Sequence, residues 1–118
     1  MGYEVTENDT AEALGSGDVP VLATPRLIAW LEAATVRAAS AMIGKGQTTV
    51  GVAIRVRHRR ATPVGGIVDV MAEIHGDHDG RTVTFSVAAH DHDGQIVADG
   101  EIDRAIVARE KFVAALDG

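Results

Sequence analysis

The hydrophobic pattern of this chain changes period once, and that change limits its fold more than any other feature. From Thr24 to Ile43 apolar residues recur at three- and four-residue steps. Leu27, Ile28, Leu31, Ala34, Thr35, Ala38 and Met42 form one stripe, while Arg26, Trp30, Ala33 and Arg37 lie towards the other side. That spacing predicts an amphipathic helix. Thr24 reads as its cap, Pro25 suits the first helical position, and Gly44 ends it. At about 1.5 Å per residue the helix spans roughly 28 Å, enough to cross a sheet. Beyond Gly44 the period drops to two.

In the stretch Thr48 to Ala61, strict alternation puts Val50, Val52, Ile54, Val56 and His58 on one face. Thr49, Gly51, Ala53, Arg55, Arg57 and Arg59 take the other. Further strands are expected at Ile67 to His75, Arg81 to His90 and Gln95 to Arg109, with a short terminal helix at Glu110 to Leu116. Two Asp-His-Asp-Gly segments, Asp77 to Gly80 and Asp91 to Gly94, read as hairpin turns. Tyr3 to Thr6 suits an edge strand. Glu7 to Val21 is rich in turn formers, with a helical turn expected at Thr10 to Leu14, and is the candidate lid. The expectation is one α+β domain over residues 1–118. It has an N-terminal strand and lid-like loop (1–22), a central helix (24–43) and antiparallel strands (47–112).

A chain of 118 residues holds one core and not two. With only 3% aromatic residues, that core must be filled by Ala, Val, Ile and Leu. Small domains of this kind often gain further burial by oligomerising. The net charge of -6 argues against nonspecific nucleic-acid binding. The absence of cysteine excludes a disulfide framework and a thiol nucleophile. Met1 to Asn8 is acidic and lacks the apolar core of a signal peptide, and no apolar run approaches the roughly 20 residues of a membrane span. The expected location is the cytoplasm, with no membrane partner.

Three residues suggest chemistry. Thr24 opens the helix, Glu32 lies at the margin of its apolar stripe, and His58 continues a row of Val and Ile in the next strand. Taken singly, each has a structural explanation: a cap, a surface carboxylate, a core histidine. Together, on a helix and the strand it covers, they supply the hydroxyl, carboxylate and imidazole of an acyl-transfer site. Thr24 and Glu32 are eight residues apart, about 12 Å along a helix, so they cannot touch within one chain. Either substrate lies between them or a two-fold dimer brings Glu32 of one chain near Thr24 of the other. The dimer is the preferred arrangement. The arginines at 55, 57, 59 and 60 read equally as a solvated strand face or as a phosphate clamp, with Arg59 and Arg60 best placed beside the Pro-Gly turn. The histidine- and aspartate-rich turns resemble a metal site. However, successive hairpin tips stand at opposite ends of a strand about 33 Å long, so no functional metal is expected.

The stretches Ala23-Thr24 through Trp30-Leu31-Glu32 to Ala38, Gly51 to His58 with Ala61-Thr62-Pro63, Ala88 to Asp91, and Arg104-Ala105 through Glu110-Lys111-Phe112 resemble the fluoroacetyl-CoA thioesterase family of hot-dog proteins. The resemblance runs from about Ala23 to Phe112. It implies the hot-dog fold, a long helix wrapped by an antiparallel sheet, with Thr24, Glu32 and His58 as catalytic residues. Gly51 matches a position whose backbone meets the acyl carbonyl, and Arg104 a basic residue near the site. Where the family's namesake has a lid phenylalanine, this chain has Val19 nearest and no aromatic. The resemblance implies thioester chemistry, and the missing lid aromatic speaks against fluoroacetyl selectivity without fixing the acyl chain. The expected function is hydrolysis of a small acyl-CoA thioester by a homodimer or a dimer of dimers. Coenzyme A is then part of the substrate, with no resident cofactor. The alternatives are a non-catalytic hot-dog binder of acyl-CoA or another small hydrophobic ligand and, less favoured, a hydroxyacyl-CoA dehydratase.

Overall fold

The computed structural model describes residues 1–76 and 78–117. Asp77, in the first Asp-His-Asp-Gly turn, lies outside the described residues. The elements follow in the order β1 (Gly2–Glu4), α1 (Ala11–Leu14), α2 (Thr24–Ala39), β2 (Gln47–His58), β3 (Ile67–Ile74), β4 (Thr82–Asp91), β5 (Ile96–Ala108) and α3 (Arg109–Ala114). The five strands form one antiparallel sheet in the spatial order β1-β3-β4-β5-β2. Helix α2 lies across one face, over β3, β4 and β2. This is the α+β arrangement expected, and the fold is a hot-dog. Strands β3, β4 and β5 are joined by hairpins, but β2 crosses to the far side of β5 and ends as a twelve-residue edge strand.

The core forms where the helical stripe meets the inner sheet face. Leu27, Leu31, Ala34, Thr35 and Ala39 are buried on α2. Val68 and Val70 on β3, Val83, Phe85, Val87 and Ala89 on β4, and Val97, Ala98 and Ile102 on β5 are buried beneath them. Alternation along β4 places every second residue inside, as period two requires. The large buried aromatic is Phe85, whose truncation to Ala is expected to cost about 3–5 kcal/mol. Trp30, expected on the helix's outer side, is half-buried and stacks on Tyr3 of β1, with ring centroids 4.5 Å apart and planes 3° from parallel. Arg55, on the outer sheet face, bonds both Glu101 and Asp103 and holds the Asp103 carboxyl below the usual carboxylate range.

Two boundaries of α2 differ from expectation. The residue preceding the helix in extended conformation is Ala23, so Thr24 is helical and its hydroxyl is not used as a cap. The helix also stops at Ala39 and not at Gly44. Ser40 turns its hydroxyl back onto the Arg37 carbonyl (2.7 Å), and the following amides make tighter bonds, Ser40 N–H to Arg37 O and Met42 N–H to Ala39 O. A serine that satisfies itself locally competes with helix continuation. The candidate lid is better anchored than its composition suggests. Ala11 N–H bonds Val21 O, Ala23 N–H bonds Asp9 O, and Arg26 pairs with Asp9 at 2.9 Å.

Candidate active site

A bulge in β2 decides which side chains reach the helix. Gly51 pairs with Arg104 and Ala53 with Asp103, leaving Val52 as an extra residue. Side chains opposite one another in a sheet share a face, and one extra residue reverses the alternation. After the bulge, Ile54, Val56 and His58 point inward, opposite Ile102, Gly100 and Ala98. Before it, Thr49 and Gly51 point inward as well. The strict alternation read from sequence had put Thr49 and Gly51 on the opposite face from His58, and the bulge corrects it.

Two pairs of functional groups result. At the end of β2, His58 Nδ1 lies 2.8 Å from the Thr24 hydroxyl on the first turn of α2. Burial pushes the imidazole below its ordinary value, with the Arg60 backbone pulling weakly the other way. A neutral ring with its proton on Nε2 accepts the threonine proton at Nδ1, and a ring with its proton on Nδ1 donates to the hydroxyl instead. Nε2 is buried and has no hydrogen-bond partner among the described residues. A buried polar nitrogen is costly to leave unpaired unless something else fills the site.

The second pair sits about two helical turns away. Glu32 Oε2 accepts from Arg104 Nη1 at 3.1 Å, and Arg104 is buried while the carboxylate is 37% exposed. Thr49 supplies two further acceptors to the guanidinium: its hydroxyl to Nε at 2.9 Å and its carbonyl to Nη2 at 3.1 Å. A Cβ on Gly51 would stand 2.6 Å from Glu32 Oε2, so only glycine leaves room for the carboxylate where it is. The two pairs are about 12 Å apart along α2 and about 20 Å apart along β2. One chain thus brings Thr24 to His58 and Glu32 to Gly51 and Arg104, but does not bring the pairs together.

The remaining sequence candidates are placed as follows. Arg59 pairs with Asp99 at 2.7 Å and Arg60 with Asp91 at 3.6 Å, both half-exposed just past His58. A cavity of about 280 Å³ opens there, lined by Arg60, Ala61, Thr62, Pro63, Gly66, Ile67, Asp91 and His92. Val19 is 50% exposed on the loop before α2 and takes no part in the core. Thr49 is the residue that sequence reasoning missed. The signal was Gly51, since a glycine inside a β-branched strand marks a bulge, and a bulge would have turned Thr49 inward.

A family model described as fluoroacetyl-CoA-specific thioesterase matches residues 5–110 of the chain. A fluoroacetyl-CoA thioesterase of Streptantibioticus cattleyicolor is 38% identical over 94 residues. The match covers 80% of this chain and 66% of that relative, slightly under two thirds of its length. A solved structure of a fluoroacetyl-CoA thioesterase superimposes with a TM-score of 0.88 at 32% identity, covering 99% of this chain and 90% of the other. A Thermus thermophilus protein of the thioesterase superfamily shares the fold, with a TM-score of 0.89 at 24% identity over 99% of this chain and 85% of that one.

Proposed function

Because the chain belongs to the fluoroacetyl-CoA thioesterase family of hot-dog proteins, we propose that it hydrolyses a small acyl-CoA thioester at a site completed by a second copy of itself. The observation that carries this reading is the 2.8 Å contact between Thr24 Oγ1 and His58 Nδ1. A hydroxyl bonded to a half-buried, neutral imidazole is the arrangement that proton transfer at an acyl carbon requires.

The second copy is suggested by the open edge of β2. Twelve residues of unpaired strand edge, with Val52 and Ile54 exposed, invite pairing with another strand. Antiparallel pairing of two β2 strands about an axis near Ile54 and Arg55 sets His58 of one copy opposite Gly51 of the other. The Thr24–His58 pair then faces the partner's Glu32. Within this arrangement Glu32 attacks the carbonyl or activates water, and backbone N–H groups at Gly51 or at the start of α2 stabilise the oxyanion. The carbon–sulfur bond breaks as a carbon–oxygen bond forms, and His58 gives its Nε2 proton to the departing thiolate as it takes the Thr24 hydroxyl proton at Nδ1. Water supplies the oxygen of the product acid, directly or by cleaving the acyl–Glu32 anhydride, and the proton it sheds restores the Thr24 hydroxyl. Arg59 and Arg60, beside the 280 Å³ cavity, bind the phosphates of coenzyme A, which is part of the substrate and not a resident cofactor. The loop carrying Val19 borders the entrance.

A panel of short, branched and aromatic acyl-CoAs, read by release of free thiol, tests the activity. Turnover of at least one member is expected. Measurable binding without release from any member would instead make the protein an acyl-CoA binder. No helix among the described residues is long and apolar enough to cross a membrane.

A further inference from the structure

We propose that Thr49 is a positioning residue for the reaction, fixing the orientation of the Arg104 guanidinium and through it the carboxylate of Glu32. The inference rests on the thioesterase reading above. A guanidinium is a flat fork of five donors whose bonding direction is set by whichever edge is held. Nε and Nη2 lie along one edge of that fork, and Thr49 takes both, through its hydroxyl at 2.9 Å and its own carbonyl at 3.1 Å. With that edge held, Nη1 can only face outward from Thr49, and there it meets Glu32 Oε2 at 3.1 Å.

Burial makes this hold necessary. The Arg104 side chain is 8% exposed, and a charge removed from water must have its donors satisfied. Glu32 alone leaves one edge of the guanidinium unpaired. Glu32 in turn is 37% exposed and on the margin of α2, and Gly51 beneath it offers no side chain to hold it. Its position therefore depends on Arg104, and the plane of Arg104 depends on Thr49. The Val52 bulge is what turns Thr49 towards the helix. A carboxylate displaced by about 1 Å can cost on the order of 10²-fold in rate.

The test uses the full chain with its best acyl-CoA substrate and compares Thr49→Val, which keeps shape and removes the acceptor, with Thr49→Ser, which restores it. Thr49→Val is expected to lower kcat about ten-fold with KM nearly unchanged, and Thr49→Ser to recover most of that loss. In an Arg104→Lys background, which no longer presents the same fork, Thr49→Val is expected to add little further loss. If Thr49 only stabilises the fold, Thr49→Val lowers the melting temperature while kcat of the folded protein holds, or its effect adds fully to that of Arg104→Lys. Either result overturns the proposal. If Thr49→Val does not fold, an unchanged kcat in Thr49→Gly at a temperature where it is folded also overturns it, and a loss there supports it. A wild-type chain without turnover defeats the thioesterase reading itself, which is a separate outcome.

Discussion

The two halves of the site are held by opposite kinds of force. At Thr24 and His58 the contact is a single neutral hydrogen bond of 2.8 Å, joining the start of a helix to the end of an edge strand. At Glu32 the contact is ionic and anchored to a buried cation that is itself held by two further bonds. The first half has a buried nitrogen without a partner among the described residues, and the second has a carboxylate more than a third open to solvent. Proton transfer and carboxylate placement are thus prepared separately. The neutral half is tuned by desolvation, the ionic half by geometry.

The comparison breaks most severely at the carboxylate. Glu32→Gln keeps the shape and the acceptor oxygen towards Arg104, yet removes the charge. It is expected to reduce kcat by about 10³-fold or more while acyl-CoA binding, read by calorimetry, survives. On the neutral side, His58→Gln is expected to cost about 10²–10³-fold. Thr24→Val is expected to cost about 10²-fold, with Thr24→Ser recovering most of it. Thr24→Val as active as wild type would reduce the hydroxyl to a structural feature.

How far these halves were legible in the sequence follows from the same contrast. The switch of hydrophobic period located α2 and the strands within a few residues, because burial on one face imposes that period on the side chains directly. The pairing of Thr24 with His58 was less visible. It depends on Ala23, not Thr24, preceding the helix in extended conformation, which leaves the threonine hydroxyl free. The support for Glu32 was hidden, since Thr49 reaches Arg104 only because Val52 is bulged, and a bulge shifts every residue before it to the other face. The early end of α2 was masked because Ser40 and Gly44 are both plausible stops, and the sequence does not say that Ser40 will bond its own turn.

Smaller perturbations sharpen the contrast. Gly51→Ala places a Cβ 2.6 Å from Glu32 Oε2 and 3.4 Å from Arg104 Nη1, so the carboxylate must move. A loss of about 10- to 100-fold in kcat with little change in melting temperature is expected. An unchanged rate would mean that the position of Glu32 is not critical. The neutral half carries its own pH signature. His58 must be neutral to accept the threonine proton, and burial lowers it from the ordinary 6.5. The acidic limb of kcat/KM should therefore fall below pH 6.5 and not at it. The same shift has a stability consequence. As pH drops through 6.5 the unfolded imidazole takes up protons that the folded one refuses, so the His58 contribution erodes below 6.5 and levels off at the folded midpoint. Chemical denaturation across that range checks the sign. The smallest effect belongs to the cations beyond the site. Arg59→Ala and Arg60→Ala should raise KM a few-fold, about 1 kcal/mol each, because each arginine is already engaged by an aspartate. An unchanged KM for both removes them from phosphate binding.

Mixing two inactive proteins decides whether the two halves meet only across two copies of the chain. Glu32→Gln retains Thr24 and His58, and His58→Gln retains Glu32. In a mixed dimer one of the two sites regains all three groups and the other loses two. Random assortment of equal amounts, by co-refolding or co-expression, should therefore restore about a quarter of the wild-type rate. No recovery in a verified mixed dimer would place the three groups within one chain and contradict the account.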